Sequence, residues 1–299
     1  MQNLDLRPLS LGEILDRTFT LYKNNFVLFA GISMIPQLLV LAFQMIQVFF
    51  MKMPQMPVPP HAPPVISQWQ ATGEGLTGLL SGLWLGLLLG IVGAIIYIAA
   101  LLLSNGATVL AVSELYLGRT ITVSESLRRV RGSVLSLFVL ALLTGLACVA
   151  GFILLIVPGF YIACRLAVSV PATVIEDLNA TDAMSRSFDL TKDFAGRAFL
   201  IYLLYVVLLY SAMGLLQMPF IFGLFIARND PNMLRFWTAL MQIGGFAAGV
   251  LVTPVITIAT SLFYYDLRVR KEAFDLQIMM GGADKPFPGS SGGVPSMLS

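Results

Sequence analysis

A short motif near the start of the chain recurs twice in looser form, each time just before a pair of long apolar stretches. The copies are Leu9–Arg17, Ile121–Arg129 and Leu178–Arg186. Apolar blocks of about 20 residues indicate bilayer-spanning helices. Apolar residues make up 57% of the chain and charged residues 11%, against about 45–50% and about 25% in soluble domains. The pattern predicts an all-α integral membrane protein with six transmembrane helices.

The apolar blocks place the predicted spans, with one ambiguity. At about 1.5 Å per residue, the block 76–116 would reach ~60 Å, twice a hydrocarbon core of about 30 Å. We expect its first part, to about residue 87, to lie in or beyond the outer interface, with a kink at one of its glycines as the alternative. The third span should turn sharply at Pro158-Gly159. The second span ends near 116 and begins anywhere from 76 to 88, and the others cover about 26–50, 134–157, 160–175, 198–226 and 236–265.

Each motif copy with its two spans forms one predicted repeat. Because the number of spans per unit is even, all units have the same orientation and the repeats are parallel. The repeats cover about 9–117, 121–176 and 178–272, within a membrane domain at 1–276. A Pro-rich segment at 51–74 predicts a flexible external loop. A Gly-, Ser- and Pro-rich tail at 277–299 should be disordered in the cytoplasm.

The distribution of basic residues predicts the orientation. Of 18 Lys and Arg residues, all but Lys52, Arg165, Arg228 and Arg235 fall in inner segments if the N-terminus is inside. Such a bias indicates that both termini are cytoplasmic. The first apolar block is long enough to span, so we expect it to remain as an uncleaved anchor.

The repeated motif has the features of a capped amphipathic helix. Each copy has an N-cap residue, an acid three positions later and an arginine four positions beyond the acid, a favourable i,i+4 order. Apolar positions at spacings of three and four define one face, so the helix should lie along the inner membrane surface. The N-caps are Ser10, Thr122 and Asn179, the acids Glu13, Glu125 and Asp182, and the arginines Arg17, Arg129 and Arg186.

The basic residues of these helices are candidate contacts for anionic lipid. The second helix is the strongest, because it holds Arg128, Arg129 and Arg131 close together. The competing interpretation is that the arginines only set topology and pair with Glu125 and Glu114. The complete candidate set is Arg17, Arg128, Arg129, Arg131, Arg186 and Lys192.

Polar residues within or at the edge of the spans form a second set of candidates, because an unpaired polar group in lipid costs several kcal/mol. For Arg165, snorkelling to the outer interface or a structural pair is favoured over ligand binding. The inner ends of the return helices each carry an acid, namely Glu114, Glu176 and Asp266, which either marks the water interface or has a function. The intramembrane candidates are Asn105, Glu114, Arg165 and Gln217.

Several segments resemble a known group of sequences. They are Arg7–Asp16, Val157–Tyr161, Val170–Ala172 and Tyr264–Glu272. Together they are similar to uncharacterised bacterial multi-pass proteins grouped with the membrane domain of glycerophosphoryl diester phosphodiesterase, over most of residues 7–276. The resemblance implies a bacterial plasma membrane protein. The family's catalytic barrel has no room in this chain, so the resemblance implies no phosphodiesterase activity.

The remaining composition argues against common site chemistries. The single histidine, His61, lies in the Pro-rich segment, and Cys148 and Cys164 lie in predicted spans, so neither a metal site nor a cofactor is expected. We expect membrane lipids and membrane proteins as partners, and no nucleic acid; the oligomeric state stays open. The favoured class is a non-catalytic module that organises lipid or partner proteins. A small-molecule or lipid transporter or channel is the alternative, and a membrane-embedded lipid enzyme comes last.

Overall fold

The computed structural model describes residues 8–50, 76–227 and 230–272, and all regular structure in these ranges is helical. The Pro-rich segment 51–74, Arg7, Arg228 and the tail 277–299 lie outside the described residues. The helices are α1 (Leu11–Asn24), α2 (Phe26–Phe50), α3 (Leu76–Tyr116), α4 (Val123–Val130), α5 (Val134–Leu154), α6 (Ile156–Arg165), α7 (Ser169–Glu176), α8 (Ala180–Thr191), α9 (Ala195–Ala227) and α10 (Pro231–Glu272).

Six helical segments among the described residues are long and apolar enough to cross a membrane. They are Phe26–Phe49, Gly90–Tyr116, Val123–Leu154, Ile156–Glu176, Ala195–Ala227 and Asn232–Glu272. The chain is therefore an all-α, multi-pass membrane protein, as the sequence predicts. The long second block is one continuous helix from Leu76, and the sixth helix begins and ends further out than the apolar pattern alone indicates.

The predicted turn at Pro158-Gly159 is wrong by a few residues. The chain reverses at Leu155, whose backbone is extended between α5 and α6. Pro158 and Gly159 lie in the first turn of α6, where proline is tolerated because the first amides of a helix have no intrahelical acceptor.

The fourth span is also broken, although the sequence analysis predicts one helix there. It ends at Arg165 and resumes at Ser169. The break leaves the Arg165 carbonyl oxygen without a helical partner. Ser187 Oγ and Thr191 Oγ1 of α8 donate to that oxygen at 2.7 and 2.9 Å. Irregular backbone inside a membrane protein needs such protein partners, so α8 stabilises the break.

Prolines inside two spans also leave backbone carbonyl oxygens without helical partners. Serine hydroxyls of neighbouring helices bind these oxygens. Pro36 lacks the amide that would bind the Ile32 carbonyl, and Pro254 leaves the Val250 carbonyl unbonded in the same way. Ser104 Oγ of α3 donates to Ile32 O at 3.1 Å. Ser33 Oγ of α2 donates to Val250 O at 3.0 Å. These bonds join α2, α3 and α10.

The three motif helices differ in their caps. Ser10 and Glu13 form a complete capping box at α1, and the Thr122 hydroxyl accepts the Glu125 amide at α4. The predicted side-chain cap at Asn179 is wrong: Asn179 occupies the N-cap position, but its side chain makes no capping hydrogen bond. The carbonyl of Asn179 still accepts the Ala183 amide at 2.9 Å, so α8 begins at the predicted place without the side-chain bond.

The buried faces of these helices also correct the sequence analysis. We expected apolar faces that lie in the inner leaflet, yet the same two positions of each copy are buried in protein, which places the apolar faces against the spans. The buried residues are Ile14 and Thr18 in α1, Ser126 and Val130 in α4, and Ala183 and Ser187 in α8.

The protein core lies at the end that carries these short helices. Its large buried side chains include Phe29, Leu137, Leu190, Phe263 and Tyr264. Towards the other end the helices expose apolar side chains on their outer faces, including Ile46, Ile95, Leu146, Ile153, Leu215 and Phe222. Such exposed apolar surface is expected where lipid is the solvent.

Candidate functional site

The most buried charged side chain in the described part of the chain is Asp266, near the end of α10. Its side chain is 0% exposed and accepts from the Leu9 amide at 2.7 Å, Arg197 Nη1 at 2.8 Å and Arg270 Nε at 2.9 Å. Arg197 also donates to the Leu9 carbonyl at 2.8 Å. Both charge and hydrogen-bonding capacity of the carboxylate are thus matched, as a buried ion requires. This cluster attaches the segment before α1 to α9 and α10.

A second cluster surrounds Glu176 at the end of α7. Arg186 Nε donates to both carboxylate oxygens at 3.1 and 3.2 Å, and the Tyr264 hydroxyl also donates to this carboxylate. Arg186 also pairs with Glu272. Burial alone would lower the pKa of Arg186, but the hydrogen bonds and charges of the two carboxylates raise the pKa above its ordinary value. The i,i+4 spacing predicts that Arg186 pairs with Asp182, and this prediction is wrong: Arg186 binds Glu176 and Glu272.

The third of these acids, Glu114, lies at the end of α3. It accepts Arg129 Nη1 at 3.0 Å, with Arg119 at 3.6 Å, and Arg129 also pairs with Glu125. Each of the three acids is therefore bound by arginine. These pairs support the structural interpretation of the motif arginines, because their guanidinium groups are engaged within the protein.

The six predicted lipid contacts divide into two groups. Arg17 interacts electrostatically with Tyr116, and Arg129 and Arg186 bind the acids described above. Arg129 remains exposed although it is paired, whereas Arg128, Arg131 and Lys192 are exposed and make no ion pair among the described residues. The structure thus leaves three of the six cations directed at the surroundings of the protein.

A polar cavity of about 410 Å³ lies among α2, α3, α9 and α10, inside the span region. Four glutamine amides and three hydroxyls line it, and the other lining residues are apolar or glycine. None of the lining residues is charged. The polar lining residues are Gln37, Gln44, Gln217, Gln242, Tyr97, Tyr205 and Thr253.

Hydrogen bonds and close packing hold part of this lining in place. Gln37 Nε2 lies 3.4 Å from Thr253 Oγ1, and the Tyr205 hydroxyl lies near the same threonine. Glycine on α10 lets two amides approach its backbone: a Cβ at Gly249 would lie 2.6 Å from Gln37 Oε1, and one at Gly245 would lie 2.7 Å from Gln217 Nε2. The polar lining is therefore a packed arrangement of side chains.

The four intramembrane candidates do not form one site. Asn105 Oδ1 accepts from Thr257 Oγ1 at 3.3 Å, and Glu114 is bound by Arg129 and Arg119. Arg165 donates to the Phe188 carbonyl at 2.7 Å and lies over the Phe188 ring, which is the structural pair considered from sequence. Gln217 alone of the four lines the cavity.

Sequence reasoning missed most of the cavity because it considered only the most isolated polar residues. Gln37 and Gln44 are seven residues apart in α2, a spacing that places both on one helix face. Gln242, Gly245, Gly249 and Thr253 recur at spacings of three and four in α10. That pattern was a usable signal for a polar face within an apolar span.

Within the described residues no group of three or more His, Cys, Asp or Glu side chains is arranged to hold a metal ion. No family model, curated protein or solved structure matches the chain. The resemblance to the bacterial multi-pass group stays a prediction.

Proposed function

We propose that this protein is a non-catalytic component of a bacterial plasma membrane that binds anionic lipid at the inner face and organises lipid or partner proteins there. The observation that supports this proposal most directly is the exposure of Arg128, Arg131 and Lys192, while the other motif cations are bound to internal partners. These three cations are not used in internal ion pairs, so they are available to bind the headgroups of anionic lipids.

The surroundings of Arg131 fit an interface between headgroups and hydrocarbon. Leu135, one helical turn further along, is 74% exposed, and Phe138 on the same helix is 40% exposed. A basic residue beside an exposed apolar one is typical of the membrane boundary, where the aliphatic part of the side chain contacts apolar groups and the charge meets phosphate. Each such cation contributes roughly 1 kcal/mol near an anionic surface.

The inner location of this surface follows from the proposed orientation. The bias of Lys and Arg supports cytoplasmic termini, which puts α1, α4 and α8 on the cytoplasmic side. The bacterial assignment rests on the sequence resemblance.

The test is the lipid selectivity of the purified protein. In mixed nanodiscs, the retained lipid should be enriched in phosphatidylglycerol over phosphatidylcholine. Arg128→Gln with Arg131→Gln should reduce the enrichment at least about tenfold, since two contacts of about 1 kcal/mol are removed. Lys23→Gln is the control, because it removes an exposed cation of α1 that belongs neither to this surface nor to the arginine clusters.

Equal selectivity in the wild type and the Arg128/Arg131 variant, with folding verified, would leave those arginines as determinants of topology only. An equal loss in the control variant would show a diffuse charge effect and contradict a defined surface. The same preparations test catalysis: turnover of any lipid headgroup by the purified chain would overturn the non-catalytic assignment.

Transport is the second candidate function, and the polar cavity is the observation that favours it. A cavity lined by hydrogen-bonding groups within the spans is a usual location for a transported substrate. A liposome flux assay on the same protein separates the two functions, because a lipid-organising protein gives selectivity without flux.

A further inference from the structure

We propose that the glutamine-lined cavity binds the uncharged, hydroxyl-bearing end of a neutral lipid that enters from the bilayer. The cavity lies among the spans, separate from the basic inner surface, so this inference does not depend on the proposed function.

The chemistry of the lining selects an uncharged ligand. Every polar group in it is an amide or a hydroxyl, so the cavity offers both donors and acceptors but no counter-charge. Transfer of an ion from water into such a place has a large desolvation penalty. Amides of Gln217 and Gln242 and the hydroxyls of Tyr97 and Tyr205 can instead exchange hydrogen bonds with neutral hydroxyl or ester groups.

The size and the apolar part of the lining fit an amphiphile. Small-molecule sites generally enclose about 300–1,000 Å³ and combine apolar walls with a few polar groups, and this cavity has about 410 Å³. Leu41, Leu101, Leu209, Met213 and Phe246 supply the apolar wall. That combination suits a molecule with one polar end and a hydrocarbon part.

Helix packing favours entry from the lipid. α9 packs closely on α10 and α6, whereas it has almost no close backbone contact with α2 or α3. Between α3 and α9 the cavity is bounded chiefly by side chains, with Tyr97 of α3 near Tyr205 of α9. The outward residues Ile96 of α3 and Val206 of α9 are 51% and 43% exposed. A lipid can pass this boundary by side-chain rotation, without separation of packed helices.

The test compares binding of dioleoylglycerol and of free glycerol to the purified full-length protein, by native mass spectrometry and by thermal shift. Gln217→Leu with Gln242→Leu removes two amides at nearly constant volume. It should weaken dioleoylglycerol binding at least about tenfold, since each lost hydrogen bond is worth about 1 kcal/mol. Gln47→Leu is the matched control, because Gln47 is a half-buried glutamine of α2 that is not among the lining residues. It should bind as the wild type does.

The outcomes are separable. Loss of dioleoylglycerol binding in the double variant alone supports the proposal. Binding of free glycerol without dioleoylglycerol would overturn the lipid source and assign the cavity to a water-soluble polyol. No binding of either probe, or equal dioleoylglycerol binding in all three folded proteins, would overturn the site. The Arg128/Arg131 variant should keep full dioleoylglycerol binding, so that a failure here is distinguishable from a failure of the anionic-lipid surface.

Gly245→Ala displaces a lining amide without removing a polar group. The added methyl group would occupy the position now approached by Gln217 Nε2. It should also weaken dioleoylglycerol binding, whereas Gly214→Ala in α9, where an added Cβ has no neighbour within 4 Å, should not. Unchanged binding in Gly245→Ala, with Gln217→Leu and Gln242→Leu also without effect, contradicts the proposal.

Discussion

At the scale of single residues, the carboxylate of Asp266 is the group whose surroundings are most completely determined. It is fully buried and receives three donors, two of them guanidinium groups that are themselves partly buried. In such a cluster, the penalty of burying each ion is offset only while all partners are present. Loss of one charge leaves the others without compensation.

We therefore expect Asp266→Asn to destabilise the protein by about 3–5 kcal/mol, because Arg197 and Arg270 would remain close together without their shared counter-charge. Thermal unfolding in detergent, followed by tryptophan fluorescence, measures the change. Asp182→Asn is the control: Asp182 is exposed on α8, and its replacement should shift the midpoint little. Similar midpoints for both variants would contradict this account of the cluster.

At the scale of helices, proline–serine pairs connect the central spans. A proline in a span removes one intrahelical bond, and here a hydroxyl from a neighbouring helix replaces it. The bond therefore satisfies the carbonyl that proline leaves unbonded, and it also joins two helices. Hydrogen bonds between membrane helices contribute modestly, about 0.6 kcal/mol on average.

The pair Ser33 and Pro254 allows this interpretation to be tested by a double-mutant cycle. Ser33→Ala should destabilise by about 1 kcal/mol, since it leaves the Val250 carbonyl without its donor. In a Pro254→Ala background the new amide can bind that carbonyl, so the same substitution should have a smaller effect. Denaturant titration of the four proteins gives the coupling. If Ser33→Ala has the same effect in both backgrounds, the serine does not act on the carbonyl that proline leaves unbonded.

Also at this scale, the residues show what sequence could and could not predict. The helix starts at Ser10 and Thr122 were predictable, because caps depend on residues three positions apart. The break after Arg165 was not, since 162–168 has no proline or glycine and the break is stabilised by Ser187 and Thr191 of another helix. The cavity likewise requires four helices to converge, and only Gln217 stood out in isolation.

At the scale of the whole molecule, the two ends of the helical bundle have different compositions. One end contains the core, the short helices and the arginine clusters, and the other exposes apolar side chains on separate outer faces. The asymmetry agrees with a basic, water-facing inner end and a lipid-facing remainder. Because the two ends differ, an experiment can determine which end faces the cytoplasm.

Cysteine labelling in intact cells tests that orientation, in a background with Cys148→Ala and Cys164→Ala. We expect Gln55→Cys, in the segment outside the described residues, to react with an impermeant maleimide. Ser124→Cys and Lys192→Cys, which are exposed positions on and beside α4 and α8, should react only after permeabilisation. Reaction of Gln55→Cys and Ser124→Cys from the same side would exclude the proposed topology.

The contact between Leu9 and Asp266 has a consequence for biosynthesis. The two residues are separated by 257 positions, so this contact cannot form until the ribosome has completed nearly all of α10. Through the insertion of five earlier spans, the segment before α1 lacks the carboxylate that finally holds it. The segment before α1 is thus attached to α9 and α10 only after the last of the six spans has been made.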